Sequence, residues 1–172
     1  MKKFYAVDRE GKLKESLVIS LTKHNDISPP ELQSHVNLLF PNGFSVHGDK
    51  YFLNNASLGN LTEPAIELMF EYVRQSSFNE IPSRFQSFFA CETLVEALQF
   101  KQQFGTSTSK IFEVYSDRPY FKGNMNLLQN GQSVLVSSFF AHEYWKGNSG
   151  PDQAPFWEVM LSLPITVGKE VA

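Results

Sequence analysis

The sequence contains very little cysteine and no excess of positive charge. Only one of its 172 residues is a cysteine, Cys91, so neither an intramolecular disulfide nor a cysteine-rich zinc site can form. Such a low number of cysteines indicates that the protein is located in a reducing compartment. Because no His or Asn stands at a spacing typical of a Cys-His nucleophile, we predict that Cys91 is a small buried apolar residue. Fifteen Lys and Arg against eighteen Asp and Glu leave a net charge of −3, which argues against non-specific nucleic-acid binding.

Long apolar runs are also missing. The first one ends at Asp8, too early for a signal peptide, and no later run approaches the length of about 20 residues that spans a bilayer. We therefore expect a cytoplasmic protein with no membrane partner. The four histidines lack metal-ligand spacing, and no glycine-rich loop matches a phosphate-binding or dinucleotide fingerprint, so no metal site is predicted.

The hydrophobic periodicity predicts a mixture of strands and helices. The length fits one domain, residues 1–172. Strands are predicted at residues 4–9, 17–21, 84–90, 111–115, 156–162 and 165–171, and helices are predicted to begin near residues 28, 62, 93 and 133. The two types do not alternate regularly, which favours an α+β fold. Residues 43–60, rich in Gly, Asn and Ser, predict a long loop that closes over a site.

Polar residues stand at the head of an apolar strand in the middle of the chain. Ser83, Arg84 and Ser87 precede or interrupt the aromatic run that ends at Ala90. Polar side chains that become buried there need partners. Residues 84 and 87 would face opposite sides of a regular strand, so we expect Arg84 to lie before the pleat begins. An ion pair with a nearby glutamate is the structural alternative for Arg84.

The last apolar strand but one carries a single charge. Alternation puts Trp157, Val159 and Leu161 on one face and Glu158 and Met160 on the other. A carboxylate on an otherwise apolar strand face lies either at a solvent-exposed edge of the sheet or in a cleft. The strand alone leaves both possibilities open.

Five short motifs resemble those of the ADP-ribosyltransferase superfamily. They are F-Y-A-V-D-R at residues 4–9, F-E-Y-V-R at 70–74, P-S-R-F-Q-S-F-F-A at 82–90, A-H-E-Y-W-K-G at 141–147 and W-E-V-M-L-S at 157–162. They most resemble a bacterial and phage branch that carries the P-S-R motif. The resemblance implies split β-sheets that form a cleft, with peripheral helices. It also implies NAD as substrate and mono-ADP-ribosylation of a protein or nucleic acid, as in a toxin, an effector or a phage-host conflict protein.

The resemblance assigns roles residue by residue. Glu158 matches the late-strand glutamate and would be catalytic, because a fixed carboxylate stabilises the positive charge that develops on the ribose as nicotinamide leaves. A guanidinium would hold the diphosphate, with Arg84 the first candidate and Arg9 the second. The remaining NAD-binding candidates are two serines of the middle strand and four aromatic residues that could stack on a ring: Ser83, Ser87, Tyr5, Tyr51, Phe89 and Trp145.

One position departs from the superfamily pattern. Ala6 stands in the first strand where a histidine is often found, so Tyr5, Asp8 or Arg9 would have to supply the NAD contact. This departure supports an alternative hypothesis. The same fold would then serve as a catalytically inactive binding module that recognises a protein or nucleotide partner.

Overall fold

A computed structural model of the chain describes residues 1–54, 61–151 and 153–172. Over these residues the fold is α+β, as predicted, with two antiparallel sheets and five helices. The strands are β1 (Lys2–Asp8), β2 (Val18–Ile19), β3 (Ser87–Ala90), β4 (Lys110–Ser116), β5 (Tyr120–Asn124), β6 (Trp157–Ser162) and β7 (Ile165–Glu170). The helices are α1 (Pro30–Leu39), α2 (Val46–Gly48), α3 (Thr62–Ser77), α4 (Leu94–Phe104) and α5 (Val134–Trp145). Within the described part of the chain, no helix has both the length and the apolar character needed to cross a bilayer.

The strands form one four-stranded and one three-stranded sheet. The first sheet has the order β1-β4-β7-β2 and the second has the order β3-β6-β5. β5 is a strand that the sequence did not predict, because Pro119 and Gly123 indicate turns there. It forms because Tyr120 to Asn124 pair in antiparallel register with β6, from Leu161 back to Trp157.

The two sheets share one apolar cluster, the inter-sheet core. From the second sheet it receives Val159 and Leu161 of β6, and from the first sheet it receives Phe4 of β1 and Val114 of β4. All four side chains are at most 1% exposed. Burial of this apolar surface is the main force that holds the sheets together.

The opposite face of the second sheet is covered by helices. Met160 of β6 packs there with Phe70 of α3 and with Tyr144 and Trp145 of α5. Glu158 belongs to this face because side chains two residues apart in a strand point the same way. The predicted alternation along β6 is therefore confirmed, and it places Glu158 under α3 and α5.

Two segments next to this face differ from the predicted outline. Arg84–Gln86 form a 3₁₀ turn before β3 begins at Ser87, so the predicted strand start at residue 84 is wrong. The expectation that Arg84 precedes the pleat is confirmed. Within the predicted loop at residues 43–60, α2 is followed by a π-helical turn, Asp49–Leu53, while residues 55–60 lie outside the described residues.

Candidate functional site

Five polar side chains meet beneath α3 and α5, and we call them the Arg84 cluster. The members are Arg84, Glu158, Glu67, Tyr144 and His47. They come from five separate segments: the 3₁₀ turn before β3, then β6, α3, α5 and α2. Each segment is positioned by its own apolar residues, so the cluster is assembled by packing.

Arg84 is the centre of the cluster and is only 3% exposed. Its Nε and Nη2 donate to Glu67 Oε2 and Oε1 at 2.7 and 2.9 Å, a bidentate pair. Its Nη1 donates to Glu158 Oε1 and to the Tyr144 hydroxyl. The Phe89 ring covers the guanidinium at 4.8 Å. Arg84 therefore joins two carboxylates that would otherwise be buried without a counter-charge.

Glu158 uses its two carboxylate oxygens differently. Oε1 accepts from Arg84 Nη1 and, at 2.7 Å, from the Tyr144 hydroxyl. Oε2 accepts no hydrogen bond from the described residues. The Glu158 side chain is 7% exposed, and Oε2 is its carboxylate oxygen that has no donor among those residues.

Glu67 and Arg84 hold each other in the ionised state. Burial alone would raise the pKa of Glu67, but its interactions with Arg84 and His47 outweigh burial and lower that pKa well below its usual range. Burial likewise opposes the charge on Arg84, yet Glu158 and Glu67 raise its pKa well above the ordinary value. Burial raises the pKa of Tyr144, so its hydroxyl stays protonated and can donate to Glu158.

His47 lies at the edge of the cluster. Its Nε2 is 3.2 Å from Glu67 Oε1, and its side chain is 17% exposed. The two atoms are close but lack the alignment of a hydrogen bond, so Nε2 is buried without a hydrogen-bond partner among the described residues. The ring packs between Tyr51 and Phe89, with centroid distances of 4.5 and 4.6 Å.

The turn that carries Arg84 is fixed by Ser83. The Ser83 Oγ accepts from the Phe85 backbone N–H at 3.1 Å and donates to Glu71 Oε2 at 2.9 Å. Glu71 is in turn paired with Arg74 of the same helix at 2.8 Å. Buried Ser83 therefore caps the 3₁₀ turn and ties it to α3, which sets the position of Arg84.

The structure brings together some of the predicted site residues. Glu158, Arg84 and Phe89 are in direct contact through Arg84. Ser83 lies next to Arg84 in the same turn, and Tyr51 reaches the cluster through the His47 ring.

The other predicted site residues make their contacts elsewhere. The Ser87 Oγ donates to the backbone oxygen of Ser83 at 2.7 Å. Tyr5 packs in the cluster of Cys91 beside α4. The Arg9 guanidinium lies over Phe100 at 5.6 Å. The Trp145 Nε1 donates to the Phe70 backbone oxygen at 2.8 Å inside the helix layer.

Three members of the Arg84 cluster were not singled out as site residues by the sequence. Tyr144 appeared only within the motif at residues 141–147. His47 was noted only as lacking metal-ligand spacing. Glu67 carried a usable signal, because Glu67 and Glu71 stand four residues apart beside Phe70 on the buried side of α3. Two acidic residues at that spacing next to an apolar stripe indicate a buried polar contact.

Other features of the molecule lie apart from the cluster. Cys91 is buried, as predicted, and burial raises the pKa of its thiol to about 12. No three His, Cys, Asp or Glu side chains gather in a metal-binding arrangement among the residues described. A shallow apolar groove follows α3, and its lining side chains are Ala65, Leu68, Met69, Tyr72, Val73 and Ser76.

Comparison with known proteins identifies the family. A search of curated proteins finds no match to this chain. A family model described as "Protein of unknown function (DUF2441)" matches residues 5–172. Because the match spans nearly the whole chain, this protein belongs to the DUF2441 family.

Proposed function

We propose that this domain is an NAD-dependent mono-ADP-ribosyltransferase in which Glu158 is the catalytic carboxylate. The state of Glu158 carries the proposal: Oε1 is anchored by Arg84 and Tyr144, while Oε2 accepts no hydrogen bond from the described residues. A carboxylate that is fixed through one oxygen can accept a ribose hydroxyl proton on the other without reorganising. The two antiparallel sheets, one of them bearing this glutamate, are compatible with an ADP-ribosyltransferase-like fold.

The proposed chemistry places the carboxylate next to the ribose of NAD. When the bond between the ribose C1′ and the nicotinamide nitrogen breaks, the electron pair goes to nicotinamide and positive charge develops on the ribose. A fixed negative charge near the ribose hydroxyls stabilises that transition state more than the ground state. Excluding water strengthens the effect, and Glu158 is only 6% exposed.

Arg84 takes a different role from the one first expected. Its guanidinium is engaged with Glu67, Glu158 and Tyr144, so we assign it as a positioning residue for the carboxylate and no longer as a diphosphate ligand. The rings of His47 and Tyr51 pack together at the edge of the cluster, and the His47 side chain is 17% exposed. A flat heteroaromatic ring such as nicotinamide can stack on surfaces of this kind.

The proposal is tested by measuring nicotinamide release from NAD with the purified chain. Glu158→Gln is expected to lower the rate by about 10²- to 10³-fold, the usual cost of losing one charge-stabilising group. Tyr144→Phe removes one anchor of Oε1 without changing charge and is expected to cause a smaller loss. The absence of any release by the wild-type chain, or an equal rate in Glu158→Gln, would contradict the proposal.

A matched control separates catalysis from stability. Glu143 lies on α5 and its carboxylate accepts from Lys146 and Asn148 outside the Arg84 cluster. Glu143→Gln makes the same chemical change and is expected to leave the rate unaltered. Thermal unfolding of each variant shows whether it is folded at the assay temperature.

The macromolecular target can be sought with labelled NAD in a bacterial lysate. Transfer by the wild-type chain but not by Glu158→Gln marks the labelled species as the product of this site. Loss of the label on protease digestion would identify a protein acceptor, and loss on nuclease digestion would identify a nucleic acid.

One observation favours the second candidate, an inactive binding module. The carboxylates of Glu67 and Glu158 already have an internal counter-charge in Arg84, and buried ion pairs of this type also occur as purely structural features. Titration calorimetry with NAD distinguishes the two functions. A module that recognises only a macromolecular partner gives no heat with NAD, whereas the enzyme binds it.

A further inference from the structure

The orientation of His47 gives its two ring nitrogens different surroundings. Nε2 is fully buried and lies 3.2 Å from Glu67 Oε1. A nitrogen lone pair at that distance from a carboxylate oxygen would be repelled by it. The proton of the neutral imidazole therefore belongs on Nε2, facing Glu67.

Nδ1 then carries the lone pair. It accepts no hydrogen bond from the described residues, in a side chain that is 17% exposed. An imidazole with one nitrogen held toward a carboxylate and an unpaired lone pair on the other has the arrangement of a general base.

The ring is held in place by its neighbours. Tyr51 and Phe89 pack against it at 4.5 and 4.6 Å. The short helix α2 that carries it is tied to the turn of Arg84, because Ser45 donates its backbone N–H and its Oγ to the Phe85 oxygen at 2.9 and 3.1 Å. His47 and the Arg84 cluster therefore keep a constant relative position.

The cluster supplies a counter-charge for an imidazolium that forms at His47 during reaction. Glu67 and Glu158 bring two negative charges and Arg84 brings one positive charge, so the cluster carries one net negative charge when the imidazole is neutral. An imidazolium at His47 would balance it. Glu67, at 3.2 Å, is the group that would stabilise this imidazolium directly.

We propose that His47 is the general base that activates the acceptor in ADP-ribosyl transfer, with Glu67 as its positioning residue. This inference rests on the proposed function. The acceptor oxygen bonds to the ribose C1′ as the bond to nicotinamide breaks, and nicotinamide leaves with that electron pair. The acceptor proton passes to His47 Nδ1 and is then released to solvent. The acceptor is accordingly a neutral hydroxyl group or water, since an acceptor that is already an anion needs no base.

The test compares a neutral acceptor with an anionic one. With water as acceptor, His47→Gln is expected to lower NAD cleavage by about 10²-fold or more, the usual contribution of a general base. With azide, which has no proton to remove, the same variant is expected to form ribosyl azide within about threefold of the wild-type rate. Glu158→Gln is expected to lose both reactions. His35→Gln, at an exposed position of α1, is the matched control and is expected to lose neither.

A second measurement does not depend on NAD. Long-range ¹H–¹⁵N correlation spectra of the full-length chain are expected to show neutral His47 as the Nε2–H tautomer. The Nδ1–H tautomer would overturn the role of His47 alone, as would equal losses with water and azide in His47→Gln. Failure of the wild-type chain to cleave NAD with either acceptor would overturn the proposed function and the base role with it.

Discussion

Buried charge is the feature that distinguishes individual residues in this protein. Glu67, Arg84 and Glu158 are each less than a tenth exposed, and each depends on the others for a counter-charge. Removing one member of such a group leaves the rest uncompensated, which typically costs about 3–5 kcal/mol of folding free energy. These residues therefore contribute to stability as well as to the proposed chemistry.

The lowered pKa of Glu67 predicts how stability depends on pH. Because the folded-state pKa lies below the unfolded value of about 4.3, the pairing stabilises the fold above that value and is lost as the pH falls toward the folded-state pKa. Urea unfolding of the wild-type chain is thus expected to show falling stability below pH 5. Glu67→Gln is expected to be less stable by about 3–5 kcal/mol at pH 7 and to vary less with pH below 5.

Glu170 provides the control for this experiment. It pairs with Lys110 at the surface and its side chain is 44% exposed. Glu170→Gln is expected to change stability by less than about 0.5 kcal/mol and to keep the wild-type dependence on pH. If the free energies of unfolding of the wild-type chain and Glu67→Gln change with pH in parallel, Glu67 is not the group that titrates.

Among the elements, α2 depends on a close backbone contact. Gly48 lies against the Phe85 carbonyl in the turn of Arg84, and a Cβ at this position would overlap that oxygen. The same oxygen accepts two hydrogen bonds from Ser45 at the start of α2. Glycine is required here for the approach of two chain segments.

Gly48→Ala is therefore expected to push α2 away from the turn of Arg84. The free energy of unfolding is expected to fall by about 1–3 kcal/mol, the range for inserting a methyl group into a packed site. Urea unfolding measures this loss, and faster hydrogen exchange of the Ser45 amide locates it in α2. His35→Ala, exposed on α1, is the control. Unchanged stability and unchanged Ser45 exchange in Gly48→Ala would contradict the prediction.

For the whole molecule, the inter-sheet core makes the two sheets interdependent. Leu161 is fully buried there, in a cluster that takes side chains from both sheets. A cavity in this core is expected to weaken both sheets together, because side chains of both sheets pack in it. One cooperative transition is the behaviour of a single domain, which stays a prediction for this chain.

Leu161→Ala is expected to lower the free energy of unfolding by about 2–5 kcal/mol. Tryptophan fluorescence, which arises from Trp145 in the helix layer and Trp157 in β6, and far-ultraviolet circular dichroism should give one coincident transition in both the wild-type chain and the variant. Leu38→Ala, at a side chain that is 79% exposed, should have little effect. Separate transitions would show that the sheets unfold independently.

Local patterns were sufficient for most elements and for two of the five members of the Arg84 cluster. The helix predicted to begin near residue 93 is α4, which starts with a capping box of Thr93 and Glu96, and alternation along β6 predicted which face carries Glu158. β5 was missed because pairing with β6 outweighs the turn signals of its own residues. Arg84 and Glu158 were recognised because each is a charge within a short apolar segment.

The partners of those charges depended on the tertiary structure. Glu67, Tyr144 and His47 are separated from Arg84 by 17, 60 and 37 positions of the chain, and nothing in their own segments indicates that they meet. Packing of α3 and α5 on the second sheet brings them together and withdraws them from water. Periodicity along one segment reports which face is buried, but the ionic environment of a side chain is set by residues that approach it from other segments.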